Sequence, residues 1–262
     1  MNELTRRARI LTRAGDAVSA AKLVRMLAES AVAGDRPQPP ASAAVPVRVV
    51  QGDRLVWLRP RSRDLTAFAQ LADGRHLPPP RLGGPFRHIA VLGAATGLEL
   101  ADLGDAYPEA RLLGVEADPD NAALARRNTE HLGRRATIVE QAVWHRDERF
   151  RSEWQRAGWG PLREGGPEPR NGTGKTVDAV DAGALLRGWT GGEPVDFLLV
   201  AVESAWHGML GHGDWTRRVR GITVDVGADD REAAEAVPLL EKLGYQATWV
   251  TGPDGGFAIG VS

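Results

Sequence analysis

Apolar residues at Leu4, Leu11, Ala14, Val18, Ala21, Val24 and Ala28 recur at steps of three, four and seven. That spacing lines one face of a helix, so a single long helix is expected over 4–31. Gly34 and the run Pro37-Gln38-Pro39-Pro40 end it and begin a stiff linker. Val47 to Val50 and Arg54 to Leu58, parted by Gln51-Gly52-Asp53, read as a β-hairpin. A short helix follows from Asp64 to Ala72, with Asp64 or Ser62 available to cap it. Pro78-Pro79-Pro80 and Gly83-Gly84-Pro85 then interrupt the pattern.

From His88 the texture changes. Short apolar runs at His88–Leu92, Arg111–Val115, Ala136–Glu140, Phe197–Val202 and Gly221–Val226 read as strands. Helical patterns cover Leu98–Ala106, Pro119–Leu132 and Asp230–Leu243. Continuous apolar strands separated by helices indicate a parallel sheet covered on both faces. Tyr245–Val250 and Phe257–Val261, joined through Gly252-Pro253-Asp254-Gly255-Gly256, close it as an antiparallel hairpin. The expected fold is therefore a Rossmann-like α/β sheet, mostly parallel, with an N-terminal helix and β-hairpin extension. Three stretches are expected: helix and linker over 1–46, hairpin and cap over 47–87, and the α/β domain over 88–262. Arg146 to Gly174 reads as an irregular insertion within the last, of the length typical of lids. The N-terminal elements are placed either over the cleft or at a homodimer contact.

Composition narrows the function. Lys+Arg 33 against Asp+Glu 34 in 262 residues gives a net charge of −1, which offers no global attraction to nucleic acid or acidic membranes. With no cysteine, disulfides, thiolate metal sites and cysteine nucleophiles are excluded. No run approaches the ~18 apolar residues of a membrane span. Arg6-Arg7 is not followed by an apolar stretch of signal-peptide length, so a cytoplasmic location is expected. Arginine outnumbers lysine thirty to three, which fits GC-rich coding. Tryptophan, at 8, outnumbers tyrosine and phenylalanine combined and asks for another explanation.

The strand ending at Leu92 runs into Gly93-Ala94-Ala95-Thr96-Gly97 before a helix begins. Gly93 permits a tight turn, small Ala94 and Ala95 admit a ligand to the backbone, and Gly97 lets helix and strand pack closely. The helix N-terminus beyond offers N–H groups to polar or anionic atoms. Glu116, twenty-three residues past Gly93, stands where an acid would bind a ribose diol. A nucleoside-containing ligand is expected. The middle glycine of the dinucleotide turn is missing, which favours S-adenosylmethionine, a cofactor without pyrophosphate, over a nicotinamide dinucleotide.

These residues resemble the FkbM-type S-adenosylmethionine-dependent methyltransferases from about Val56 onward. The likeness is carried by Leu58-Arg59-Pro60 with Ser62 and Asp64, the glycine turn, and Glu116-Ala117-Asp118-Pro119-Asp120-Asn121 with Asn128. It continues in Ala142-Val143, Val177-Asp178-Ala179-Val180-Asp181 with Leu185-Leu186, and Asp196 through Ser204. The resemblance implies a class I methyltransferase sheet, methyl transfer to hydroxyl groups, often on natural products or glycans, and a cofactor held by Arg59, Asp64, Gly93, Ala94, Ala95, Thr96, Gly97, Glu116, Ala117, Gln141, Ala142 and Ala201. The chain departs from the family pattern in two places. Val91 replaces an acid before the turn, and of the family's fourth-strand K-x-D-x-E-G-x-E only Glu203 remains.

Glu203 and His207 are the candidate catalytic groups, each with an ordinary surface or capping role as the alternative. Gln141 and Ala142 lie either near the adenine or on a plain loop exit. Trp144, His145, Trp154 and Trp206 are the candidate acceptor pocket; Trp159 and Trp215 fall in the same stretches, where ordinary core filling is the competing explanation. Trp57, Trp189 and Trp249 are assigned to the core. No metal site is expected: His207 and His212 lack ligand spacing, and Gly174-Lys175-Thr176 lacks the first glycine of a phosphate loop. The reading is methyl transfer from S-adenosylmethionine to a small-molecule acceptor. The alternative keeps the cofactor but gives a cyclase, an isomerase or a silent binding partner.

Overall fold

The structure, a computed structural model, describes residues 3–31, 39–50, 53–152, 154–155, 158–159, 175–202, 205–212, 214–227, 230–252 and 255–262. The chain opens with two helices, α1 (Glu3–Leu11) and α2 (Ala17–Ala31), where one was expected. The break has a local cause. Ala14 bridges to Val49, the Gly15 N–H donates to the Arg48 carbonyl at 2.8 Å, and a Cβ on Gly15 would meet Arg48 at 3.0 Å. Asp16 then caps the second helix by accepting the Ser19 N–H at 2.7 Å. The expected apolar stripe is also turned outward: Val18 and Val24 are 65% and 53% exposed, while Leu23 and Met26 are buried. Alanine and valine define a weak stripe, and the larger side chains, which remove more apolar area from water, take the inner face.

The hairpin forms from β1 (Val45–Arg48) and β2 (Leu55–Leu58), with buried Val47 opposite buried Val56. Helix α3 (Asp64–Gln70) follows and continues as a 3-10 turn over Leu71–Asp73. Ser62 Oγ accepts the Asp64 N–H at 3.1 Å, as a start signal should. Ile10, Leu23, Met26, Val47, Val56, Leu58 and Phe68 share one core, and Leu98 joins it from the main domain.

The main domain alternates β3 (His88–Leu92), α4 (Leu98–Ala106), β4 (Arg111–Glu116), α5 (Pro119–Asn128) and β5 (Ala136–Glu140). Next come β6 (Ala142–Trp144), β7 (Glu148–Ser152), β8 (Trp154–Gln155), β9 (Gly158–Trp159), β10 (Lys175–Asp181) and α6 (Ala182–Thr190). The chain ends with β11 (Val195–Val200), α7 (Ala205–Gly211), β12 (Val219–Gly227), α8 (Asp230–Lys242), β13 (Gln246–Gly252) and β14 (Gly255–Val261). Seven strands form one sheet in the order β13-β14-β12-β11-β3-β4-β5. Its five inner and early strands are parallel, and β14 lies antiparallel between β12 and β13. The fold is thus the expected Rossmann-like α/β sheet with an antiparallel C-terminal hairpin.

Alternation along β3 and β11 explains the continuous apolar runs. Ile89, Val91, Phe197 and Leu199 pack on one face with Leu100 and Leu103 of α4. Ala90, Leu92, Leu198 and Val200 pack on the other with Leu186, Met209 and Leu240 of α6, α7 and α8. In register, Leu92 lies beside Val115 and Val200, and Val200 beside Val224, so β3 and β11 finish level, with β4 running one residue further and β12 on to Gly227. Part of the expected insertion is ordered: β10 pairs parallel with β6 and antiparallel with β7. Residues 160–174 lie outside the described residues.

Candidate functional site

The glycine turn sits at that level edge. Gly93 has φ +84°, and a Cβ there would fall 2.2 Å from the carbonyl oxygen of Ala201, just beyond β11. The glycine is required by the neighbouring strand end as well as by the turn. Gly97 has φ +74°, and a Cβ there would lie 2.8 Å from Ala125 Cα. It lets α4 approach α5, a correction to the expected helix–strand contact. Ala94 is buried in the core under α4, so of the two alanines only Ala95 is exposed. Ala95 holds φ +44°, an unusual value for a residue with a side chain. Gly97 supplies no side-chain cap, so the first turn of α4 presents N–H groups without one.

Glu116 fixes this turn. Its Oε2 accepts the Ala95 N–H at 2.8 Å and its Oε1 the Asp118 N–H at 2.8 Å. Asn121 adds a side-chain hydrogen bond. Burial nevertheless pushes the Glu116 carboxyl up, outweighing those donors. Asn121 Oδ1 accepts from Arg59 at 2.8 Å, and Arg59 pairs with Asp64 through two contacts at 2.8 and 3.0 Å. Arg59 and Asp64 are both almost fully buried. The residues assigned by resemblance to the cofactor thus form a buried ion pair that reaches Glu116 through Asn121. Asn128, fully buried, gives the same link again: its Nδ2 donates to the Thr96 carbonyl at 2.8 Å, and its Oδ1 accepts the Trp57 N–H at 2.7 Å.

Other candidates are less concentrated. Gln141 is exposed at the end of β5, Ala117 packs partly against the core, and Ala142 is buried in it. Trp144 and Trp206 are 4% and 1% exposed and pack in the core. Trp144 lies against Gly208, where a Cβ would meet the indole at 2.4 Å. Both side chains fill core space among the residues that back β3 and β11. His145 stacks on His212 at 4.2 Å. His207 is exposed and lies 3.4 Å from Glu235 of α8, a surface contact. Glu203 lies outside the described residues, and Trp154 is described only in its backbone, opposite Trp159. No group of metal-ligating side chains is found among the described residues. A cavity of about 470 Å³ runs between α6 and the 214–218 turn and includes Val195 and Val219, the first residues of β11 and β12. It does not include the glycine turn.

A charged cluster beside the turn escaped the sequence reading. Glu99 and Asp102 project from α4, Asp225 from β12, and Arg75 and His76 from the cap segment. His76 Nε2 lies 2.8 Å from Asp102 Oδ2, and both residues are buried. Burial pushes the Glu99 carboxyl up; Asp225 and Asp102 add to this, and His76 and Arg75 oppose it. Asp225 is raised by burial too. The available signal was weak: Glu99, Asp102 and Asp105 repeat every three residues in α4, a pattern that reads as a solvated face.

No family model and no curated protein matches the sequence. Among solved structures the chain is similar to the precorrin-6y C5,15-methyltransferase of Geobacter metallireducens GS-15, at 14% identity and a TM-score of 0.42, over 68% of this chain and 80% of that one. It is similar to the METTL16 MTase domain at 14% identity and a TM-score of 0.42, over 68% of this chain and 61% of that chain. It is also similar to the SAM-dependent methyltransferase of Agrobacterium tumefaciens at 10% identity and a TM-score of 0.49, over 84% and 70%. No described helix is long and apolar enough to cross a membrane.

Proposed function

We propose that the chain is an S-adenosylmethionine-dependent methyltransferase acting on an oxygen of a small molecule. The observation that carries this reading is the bridge from Glu116 to the Ala95 N–H, which locks a strand-end acid onto the glycine turn. Each Glu116 oxygen accepts one backbone N–H. A carboxylate offers four lone pairs, and with the Asn121 side chain as third donor one is left for a ribose hydroxyl. The uncapped first turn of α4 suits the carboxylate of the donor's amino-acid end. Ala95 stands where a dinucleotide turn has its middle glycine, and its methyl lies exposed at the tip, which disfavours a pyrophosphate pressed against the backbone. The resemblance through Arg59, Asp64 and the Glu116 segment points the same way.

Bound there, S-adenosylmethionine would supply an electrophilic methyl group on a sulfonium. The chain's own residues fix the geometry. Arg59, Asp64 and Asn121 hold Glu116, Glu116 holds the turn, and Ala201 against Gly93 sets the wall made by β11. Holding donor and acceptor near attack distance accounts for much of such a rate enhancement. Incubation with methyl-tritiated S-adenosylmethionine and three separated acceptor pools, small molecules, RNA and protein, tests this. Tritium is expected in the small-molecule pool; label confined to RNA or protein, or in none of the three, overturns the reading.

A further inference from the structure

The cavity between α6 and the 214–218 turn stands apart from the glycine turn. Its lining includes Val195 and Val219, where β11 and β12 begin. Val195 lies six residues before Ala201, roughly 20 Å of strand away from the turn. A volume of about 470 Å³ is within the range of small-molecule sites. Leu186 extends the apolar lining, and Trp215 forms a wall. It packs so closely on the start of α6 that a Cβ on Gly183 would meet its Cβ at 2.5 Å. Its indole Nε1 is buried and has no hydrogen-bond partner among the described residues. A buried indole N–H is ordinarily met by an acceptor. The charges of the lining are unequally engaged. Arg217 pairs with Asp214 at 3.3 Å, and Asp181 caps α6 by accepting the Ala184 N–H at 2.7 Å. Arg218 donates one nitrogen to the Gly192 carbonyl, which leaves the rest of its fork. Arg187 makes no ion pair and no side-chain hydrogen bond among the described residues. Glu193 is the one carboxylate of the lining in the same condition. The buried orphan is a donor, and two guanidiniums keep N–H groups against one such carboxylate, so the lining calls for a negatively charged acceptor.

We propose that this cavity is a second binding site, for a small organic anion. Its apolar ring lies among Trp215, Leu186, Val195 and Val219, and its carboxylate or phosphate meets Arg187 and Arg218. Guanidinium forks match either group through paired N–H···O bonds. The indole N–H supplies a neutral donor to the same ligand. Glu193 sets a limit on what binds. It sits on a turn held by Thr190 Oγ1, which donates to the Glu193 carbonyl at 2.7 Å, and by Arg218 on Gly192. A carboxylate fixed there repels a ligand charged negatively at both ends, so the site selects a body with a single anionic group. The distance from the glycine turn separates this site from both partners of methyl transfer, and it stands whether or not that reading holds.

Indole N–H signals in proton–nitrogen correlation spectra of the labelled full chain test the site. The chain has 8 tryptophans, and Trp215→Phe, which keeps a ring against Gly183, identifies the Trp215 signal by its disappearance. Should that variant not fold, sequential assignment of the wild type identifies the same signal. Benzoate, phenyl phosphate and, as the uncharged control, benzyl alcohol are then titrated. Saturable movement of the Trp215 signal is expected with at least one anion, at a concentration about tenfold below any response to benzyl alcohol. The tighter of the two anions tells carboxylate from phosphate. Arg187→Glu, at an exposed position, is expected to leave the other indole signals in place and to weaken anion binding by about tenfold or more. No movement with either anion overturns the proposal. So does an equal response to benzyl alcohol, or equal anion binding by Arg187→Glu.

Discussion

Glu116 and Glu99 flank the same glycine turn, and burial pushes both carboxyls up. Glu116 is met by two backbone N–H groups and by Asn121, behind which stands the buried Arg59–Asp64 pair. Glu99 has no hydrogen-bond or ion-pair partner among the described residues, and is set in the field of His76, Asp225, Arg75 and Asp102. One acid is tied into the scaffold by hydrogen bonds; the other stands partly exposed in the first turn of α4. A buried carboxylate met by donors fixes local geometry, whereas a partly exposed one can still be met by water.

Substitutions that cut the scaffold side should have the largest effects. Asp64→Ala leaves the Arg59 guanidinium buried without its partner, and a stability loss of about 3–5 kcal/mol is expected in denaturant unfolding. Gly93→Ala comes next. Its Cβ would drive into the Ala201 carbonyl at a positive φ, costing about 1–3 kcal/mol and weakening S-adenosylhomocysteine binding by more than tenfold in calorimetry.

The two acids themselves should then separate. Glu116→Gln replaces one acceptor oxygen by a donor facing an N–H, so a loss of about 1–3 kcal/mol is expected. Glu99→Gln removes a charge that burial disfavours and that has no ion-pair partner among the described residues, and should leave the melting temperature unchanged or raise it. Equal losses in the two variants would erase the contrast.

The smallest effect is the pH dependence of the ligand-free protein. Glu99, Glu116, Asp118 and Asp225 hold their protons more tightly folded than unfolded, all through burial. Their contribution therefore grows as pH falls from neutral and is complete below the ordinary carboxylate value of about 4. Asp105 and Asp196 act oppositely. Burial would raise them, but His131 and Arg54 at Asp105, and the His88 N–H and Arg220 at Asp196, lower them, so their contribution is lost as pH drops further. Melting temperature should peak in mildly acidic buffer, and Glu99→Gln should flatten its alkaline side.

The main sheet was legible because β3, β4 and β11 are apolar on both faces, and period and length alone identify such strands. The glycine turn and Glu116 were legible because a tight turn and a strand-end acid leave local marks. The burial of Trp144 and Trp206 was not legible, because sequence position puts a tryptophan near a strand end without saying which way it faces. The split between α1 and α2 was hidden because a bridge from Ala14 to Val49 decides it, a contact thirty-five residues apart. The cluster of Glu99, Asp225, Arg75 and His76 was invisible for the same reason: three segments far apart in sequence meet only in the folded chain.

The central claim is that the Glu116-locked turn binds S-adenosylmethionine. Titration calorimetry with S-adenosylhomocysteine and, separately, with NAD on the wild type and Glu116→Ala tests it most directly. Saturable binding of S-adenosylhomocysteine alone, lost by at least tenfold in the variant, is the predicted result; binding of NAD instead, or equal binding by wild type and variant, would contradict it.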